Sequence, residues 1–304
     1  MKYTLEYPSE LPTASDEFLE PDVIRQLAQQ AETSGFSAVA LSDHPAPSVK
    51  WRRNGGHNTL DPIAALSFMA GVTTHIKLMT NLYVLPFRNP YLSAKALGSL
   101  DLISGGRLIA GVGAGYLRSE FCAVGVDFGR RAQLFDEALA ALWSIWVDPD
   151  APVSGTDFKT PGPVWLQRPA QRPHPPIWIG GNGKAALRRV IEYGTGWMPI
   201  LAPAGMATTI RTAAIENVKQ FGAMVDQLRD GMAESGRDPM SIDVQVVCPD
   251  IEIDDPASLQ RACDVLDELR SYGATSAVVQ ADGSSPQAAA DFIKAFGEAV
   301  VAGT

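Results

Sequence analysis

A histidine stands where an apolar run stops. In GFSAVALSDHPAP, residues 35 to 47, small and branched side chains give way to Ser42-Asp43-His44-Pro45. An imidazole titrates near neutral pH and can pass a proton or a hydrogen bond, which makes His44 a candidate catalytic group. Asp43 beside it can orient the loop or accept a proton, and both residues fit equally well in a plain turn that ends a strand. Gly180-Gly181-Asn182-Gly183, followed by Lys184 and a helical pattern, offers unshielded backbone N–H groups beside a helix N-terminus. That is phosphate-binding chemistry, the alternative being a flexible turn. Gly111, Gly113 and Gly115 surround Ala114 in GVGAG without completing G-x-G-x-x-G. They read better as bare backbone that a flat ring approaches closely. Thr80-Asn81-Leu82 breaks the apolar run IKLMTNLYVL (76 to 85) with two polar residues. A break of this kind marks a bulge or a ligand contact, unless the strand ends earlier.

Other chemistries find no support. His57, His75 and His174 form no metal-ligand spacing, and G-x-S-x-G, C-x-x-C and H-x-x-x-H do not occur, so neither a hydrolytic nucleophile nor a metal is expected. Cys122, Cys248 and Cys263 are scattered, which points to reduced thiols. A net charge of -9 with only isolated basic pairs argues against a nucleic-acid partner. The start, MKYTLEYPSE, has no apolar leader, and no stretch approaches the roughly 20 apolar residues of a membrane helix. A cytoplasmic protein without a membrane partner is expected.

These groups must be positioned by an alternation of short β-branched runs and longer stretches of helical period, the pattern of βαβ units around a parallel sheet. Strands are predicted at 3 to 7, 37 to 42, 76 to 85, 107 to 113, 176 to 181, 196 to 200, 241 to 248 and 275 to 280. Asp61-Pro62, Asn89-Pro90 and Asp255-Pro256 each read as an N-cap followed by proline in the first helical position. Residues 205 to 235 read as helix, and Asp101 is expected to pair with Arg107 across Ser104-Gly105-Gly106. Residues 148 to 175, rich in Pro, Gly and Asp, read as an irregular insertion between strands four and five. Eight strands and about eight helices in 304 residues predict an α/β fold, a (β/α)8 TIM barrel forming one domain over 1–304. In such a barrel the site lies at the C-terminal strand ends, where all of these polar and glycine groups fall. The loop PAPSVKWRRNGGH would give it a rim through Trp51, Arg52 and Arg53, although the arginines fit solvated surface as well.

Several strings together carry a resemblance: LSDHPAP, TNLYVLPFRNPYLSAKALGSLDLISGGRLIAGVGAGY, SEFCAVGVDFGRR and QRPHPPIWIGGNGKAALRRVIEYGTGW. The chain resembles the luciferase-like monooxygenase superfamily, in particular its branch that uses the deazaflavin F420. The resemblance runs from about 36 to 200. It implies a (β/α)8 barrel, usually a homodimer, that exchanges a hydride between F420 and a small organic substrate. An FMN-dependent monooxygenase and a barrel that binds flavin or deazaflavin without turnover are the alternatives.

The resemblance also implies roles. His44 would lie beside the reactive face of the deazaflavin and serve the substrate, with Asp43 at the cofactor's ring or side chain. Thr80, Asn81 and Leu82 would back the ring through a bulge with a non-prolyl cis peptide at Asn81-Leu82, and Gly113 and Ala114 would lie close to it. Gly180, Gly181 and Asn182 would hold the cofactor phosphate. Some relatives carry a glutamate in the strand-four glycine loop where Ala114 appears here, which leaves His44 as the leading proton donor. Glu6 and Glu120 rank behind it.

Overall fold

Capping side chains followed by proline start four of the longer helices, and each is a concrete hydrogen bond in the computed structural model, which describes residues 1–304 except Pro149, Ala151 and Thr304. Asp61 accepts from the Ile63 and Ala64 amides at the head of α3 (Pro62–Val72), and Asn89 from Tyr91 at the head of α4 (Pro90–Ile103). Asp255 caps α10 (Pro256–Ser271) through Ala257, and Ser285 caps α11 (Pro286–Ala299) through Ala288. Each cap satisfies a donor that the first helical turn leaves orphaned. The remaining helices are α1 (Pro21–Thr33), α2 (Val49–Arg53), α5 (Arg118–Ala123), α6 (Arg131–Val147), α7 (Lys184–Tyr193), α8 (Ala204–Thr209) and α9 (Val218–Glu234). No helix among the described residues is long and apolar enough to cross a membrane.

The strands are β1 (Lys2–Glu6), β2 (Ala38–Leu41), β3 (Lys77–Thr80), β4 (Tyr83–Val84), β5 (Leu108–Gly113), β6 (Ile177–Gly180), β7 (Gly196–Met198), β8 (Asp243–Val247) and β9 (Ser276–Gln280). All pair in parallel, in the order β3-β2-β1-β9-β8-β7-β6-β5-β4, and β3 also pairs with β5. The sheet is therefore closed. β3 and β4 are two pieces of one staff: Met79 faces Ile109 and Tyr83 faces Val112, so four steps on one side match three on the other. One extra residue on a strand is a bulge, and it falls at the Thr80-Asn81-Leu82 break. With the pair counted once, the barrel has eight strands, the (β/α)8 fold expected from the sequence.

Alternation along the strands sorts the two sides. Val39 and Leu41 of β2 belong to the large apolar layer under the helices, whereas Ala38 and Ala40 join Met79, Trp178 and Met198 inside the barrel. Thr4 and Gln245 share a buried hydrogen bond of 3.1 Å. Three expectations need correction. The region 205 to 235 is two helices, α8 and α9, separated by residues 210 to 217: Arg211 turns to φ 57°, the Thr212 amide closes the end of α8 on the Ala207 carbonyl, and the Thr212 hydroxyl and Ala213 carbonyl take Asn182. Asp101 does not pair with Arg107: it accepts from the Gln171 amide and side chain, while Arg107 donates to the Ala70, Ile76 and Ser104 carbonyls. Predicted strand three is two strands. The 148 to 175 segment carries no helix or strand among its described residues; Pro149 and Ala151 lie outside them.

Candidate active site

His44 follows the end of β2 by three residues, at the C-terminal mouth of the barrel. Its Nδ1 lies 3.1 Å from Oε2 of Glu120, a residue of α5 that is only 1% exposed. The other carboxylate oxygen of Glu120 takes the Ala46 amide at 3.4 Å, closing the loop after His44. A carboxylate has acceptors only, so Nδ1 carries the hydrogen and Nε2 is the nitrogen left for a further partner. Three more rings surround the imidazole: Trp51 at 4.6 Å, His57 at 5.4 Å and Tyr116 at 6.1 Å between centroids. Trp51 Nε1 donates to the Tyr116 hydroxyl at 3.2 Å, and burial pushes that hydroxyl's pKa up. Trp51 thus forms an aromatic wall. Arg52 does not supply a cationic rim, since its guanidinium holds the loop itself through Asn58 Oδ1 and the Gly56 carbonyl.

A second carboxylate lies below. Glu10, in the short turn Pro8–Glu10 after β1, is 4% exposed and accepts from the Ser42 amide and the Thr59 hydroxyl, both at 3.0 Å. Burial is the largest influence on it and pushes its pKa up to about 7, with Glu6 adding to the effect and the two donors opposing it. Burial also raises Glu6, which Gln280 binds through its side-chain amide. His57 donates from Nδ1 to the Asn58 carbonyl at 3.1 Å, 3.8 Å from Glu10 Oε2, and burial holds its pKa below the usual imidazole value. The two guanidiniums of this neighbourhood are already engaged, Arg88 by Asp43 and Arg52 by Asn58 and the Gly56 carbonyl.

Asp43 is buried and engaged on both oxygens. It accepts Arg88 through both guanidinium nitrogens, at 2.6 and 2.8 Å, and the Val84 amide at 2.9 Å. Such a two-pronged bond fixes geometry as well as charge. It ties the residue before His44 to β4, across the bulge. Thr80 donates its hydroxyl to the Gly111 carbonyl at 2.8 Å, and the Asn81–Leu82 peptide bond is cis. Leu82 covers Gly113 and Gly180: a Cβ on either would lie 2.8 or 2.4 Å from Leu82 Cδ1, closer than side-chain carbons pack, so a side chain at either position would push Leu82 aside. Ala114 stands next in the β5 turn, half-buried.

At the exit of β6, Gly181 adopts φ 111°, and its carbonyl accepts Trp197 Nε1 at 2.9 Å. Asn182 is buried and committed to the following loops. Its amide donates to Thr212 Oγ1 at 2.9 Å, its Nδ2 to the Ile200 and Ala213 carbonyls at 2.7 Å each, and its Oδ1 accepts Ile200 N at 2.9 Å. Gly183 is the N-cap of α7 and supplies no side-chain cap, and a Cβ built on it would meet nothing within 4 Å. Among the described residues the Lys184 and Ala185 amides have no acceptor, and the positive end of the helix dipole lies behind them. An anion, such as the phosphate of a flavin or deazaflavin, suits that donor set.

The sequence brought His44, Asp43, Thr80, Asn81, Leu82, Gly113, Gly180, Gly181 and Asn182 to one end of the fold, and the structure gathers them there. It ranked Glu120 low and missed Glu10, His57 and Tyr116. A lone SEF or YPSE gives no direction, and only the fold turns those side chains inward.

The model of the luciferase-like monooxygenase family matches residues 6–295. An FMNH2-dependent dimethylsulfone monooxygenase of Pseudomonas putida is 27% identical over 285 residues, covering 92% of this chain and 73% of that protein. An F420-dependent glucose-6-phosphate dehydrogenase of Gordonia bronchialis is 29% identical over 193 residues, 61% of this chain and 54% of its own length. Among solved structures, the monooxygenase RslO1 of Streptomyces bottropensis superposes with a TM-score of 0.80 at 22% identity, covering 100% of this chain and 99% of that one.

Proposed function

The chain belongs to the luciferase-like monooxygenase family, a family of oxidoreductases, and we propose that within it this protein exchanges a hydride between F420 and a small uncharged organic substrate. The observation that carries the reading is the His44–Glu120 pair. Among the described residues it leaves Nε2 of His44 without a hydrogen-bond partner, in a ring of Trp51, His57 and Tyr116 at the barrel mouth where a substrate oxygen can meet it. A hydride leaving a carbinol carbon must be matched by a proton leaving its oxygen. His44 Nε2 takes that proton when a carbonyl forms and returns it in the reverse direction, and Glu120 holds the resulting imidazolium. When bound, the deazaflavin supplies the hydride acceptor or donor.

The other groups have supporting parts. Leu82, Gly113, Ala114 and the Thr80–Asn81 bulge back the ring, and the Gly180–Gly181 turn leads to the α7 amides that take the phosphate. Asp43 and Asn182 act on the cofactor at one remove, Asp43 by locking the His44 loop through Arg88 and Asn182 by holding the loop at 200 to 213. Sugar phosphates fit poorly, because the guanidiniums nearest His44, those of Arg52 and Arg88, are already committed to Asn58, Gly56 and Asp43. A homodimer is the proposed assembly, since α4 and α6 pack together and leave Leu92, Ile103 and Trp143 exposed. The FMN-dependent monooxygenase is the second reading, favoured by the match to the dimethylsulfone enzyme over nine-tenths of the chain. Titration of the purified protein separates the two: F420 should bind more tightly than FMN. Tight FMN binding, no F420 binding and oxygen uptake with reduced FMN would overturn the first reading in favour of the second.

A further inference from the structure

Three arginines converge on one phenylalanine near the start of α7. The guanidinium carbons of Arg131, Arg211 and Arg118 lie 4.1, 5.0 and 5.9 Å from the centroid of Phe128. They come from different segments: Arg118 opens α5, Arg131 opens α6, and Arg211 lies between α8 and α9. All three follow C-terminal strand ends, on the same rim as the β6 exit. A cation over an aromatic face is favourable, but one is enough to occupy Phe128, and three like charges within roughly a Debye length repel. No carboxylate pairs with any of them among the described residues, whereas neighbouring Arg130, Arg188 and Arg189 all have acidic partners. The nearby acid, Asp127, is turned onto the Gly129 amide of its own loop. Burial and then the charge of Arg211 lower the pKa of Arg131, as expected for cations gathered without counter-ions.

The loop holding Arg211 is pinned to the same place. Arg211 adopts φ 57°, a left-handed conformation that side chains other than glycine seldom take, and the next residue, Thr212, receives the Asn182 amide at 2.9 Å. The cluster thus sits beside the α7 amides but adds more positive charge than one phosphate requires. We propose that Arg118, Arg131 and Arg211 form a polyanion subsite, which takes the run of carboxylates that follows the phosphate in the tail of a deazaflavin cofactor. The proposal rests on the F420 reading above and deepens it, because FMN ends at its phosphate and would leave the arginines unmatched.

Calorimetric titration of the full chain compares F420 carrying several γ-linked glutamates with the tail-less deazaflavin chromophore. The comparison is repeated for Arg118→Gln, Arg131→Gln and Arg211→Gln, changes at surface or half-exposed positions that leave the core untouched. Intact F420 should bind at least about tenfold more tightly than the tail-less form, and Arg131→Gln or Arg211→Gln should each cost about tenfold on the intact cofactor alone. Equal affinity for the two forms, or variants that bind intact F420 as the wild type does, would overturn the proposal. A cofactor-free arm uses thermal shift with γ-linked tetraglutamate and with inorganic phosphate as probes. Stabilisation by tetraglutamate that disappears in the arginine variants supports the subsite, and stabilisation by phosphate only, unchanged in the variants, confines anion binding to the helix end and refutes it. If the chain binds FMN and neither deazaflavin form, the cofactor reading has failed, and the tetraglutamate arm still decides the arginine subsite for or against.

Discussion

Replacing Glu10 by glutamine should stabilise the protein, and only at neutral to alkaline pH. An unfolded glutamate titrates near 4.5, while burial among Ser42, Thr59 and Glu6 pushes the folded carboxyl up to about 7. Between those values the native state keeps a proton that the unfolded chain has released. Stability from this group is therefore complete below the unfolded pKa, falls as pH rises toward about 7, and stays low above it. A shift of roughly 2.5 units at 1.36 kcal/mol per unit gives a penalty of about 3 kcal/mol at pH 8. Glutamine resembles the protonated acid: its oxygen can accept the Ser42 amide and its NH2 can donate to the Thr59 hydroxyl, so neither partner is orphaned. Glu10→Gln should then raise the melting temperature at pH 8 by about 5 °C for a chain of this length, with most of the gain gone by pH 5. Calorimetric or denaturant unfolding at both pH values measures it. An equal effect at the two values, or destabilisation at pH 8, would refute the account of Glu10 as a buried, proton-holding group.

Glu120→Ala should remove the acceptor that selects the Nδ1–H form of His44 and slow turnover by about 100-fold with a smaller change in KM; ¹⁵N NMR of the histidines reads the tautomer directly, and an unchanged His44 signal would contradict the pairing. Asp43→Ala leaves the Arg88 guanidinium without its two-pronged partner and should cost about 3 kcal/mol, seen as a lower denaturation midpoint. Gly180→Ala drives a methyl to 2.4 Å from Leu82 Cδ1 and should cost about 1–3 kcal/mol while weakening cofactor binding. Leu92→Asp on the exposed face of α4 should shift the oligomeric state toward monomer in light scattering, and no shift would remove that face from the proposed dimer contact.

The barrel was legible because its strands are short, apolar and flanked by caps that follow simple chemistry: Asp61, Asn89 and Asp255 each start the helix their sequence predicts. The bulge was visible as two polar residues inside strand three, although its register, one extra residue against β5, needed the partner strand. His44 was findable because it ends a strand on the functional rim. Its partner was harder to see, since Glu120 lies 76 residues away and faces inward only because α5 folds back over the mouth. Asp43 and Asn182 are expected at the cofactor from the sequence, but their engagement with Arg88 and with the loop at 200 to 213 depends on contacts between distant segments. The Asp101–Arg107 pairing was expected from proximity in sequence. Gln171, from the irregular segment, takes Asp101 instead, and no local pattern announces that.

The central claim is a place and a partner: F420 at the barrel mouth, with His44 Nε2 on its open side. A crystal structure of the chain with F420 tests this most directly. The account predicts the deazaflavin ring against Leu82 and the Gly113–Ala114 turn, the phosphate at the first amides of α7, and His44 Nε2 facing the space above the ring while Nδ1 keeps Glu120. A ring bound elsewhere, or a His44 whose Nε2 is turned away from the ring and the cavity above it, would contradict it.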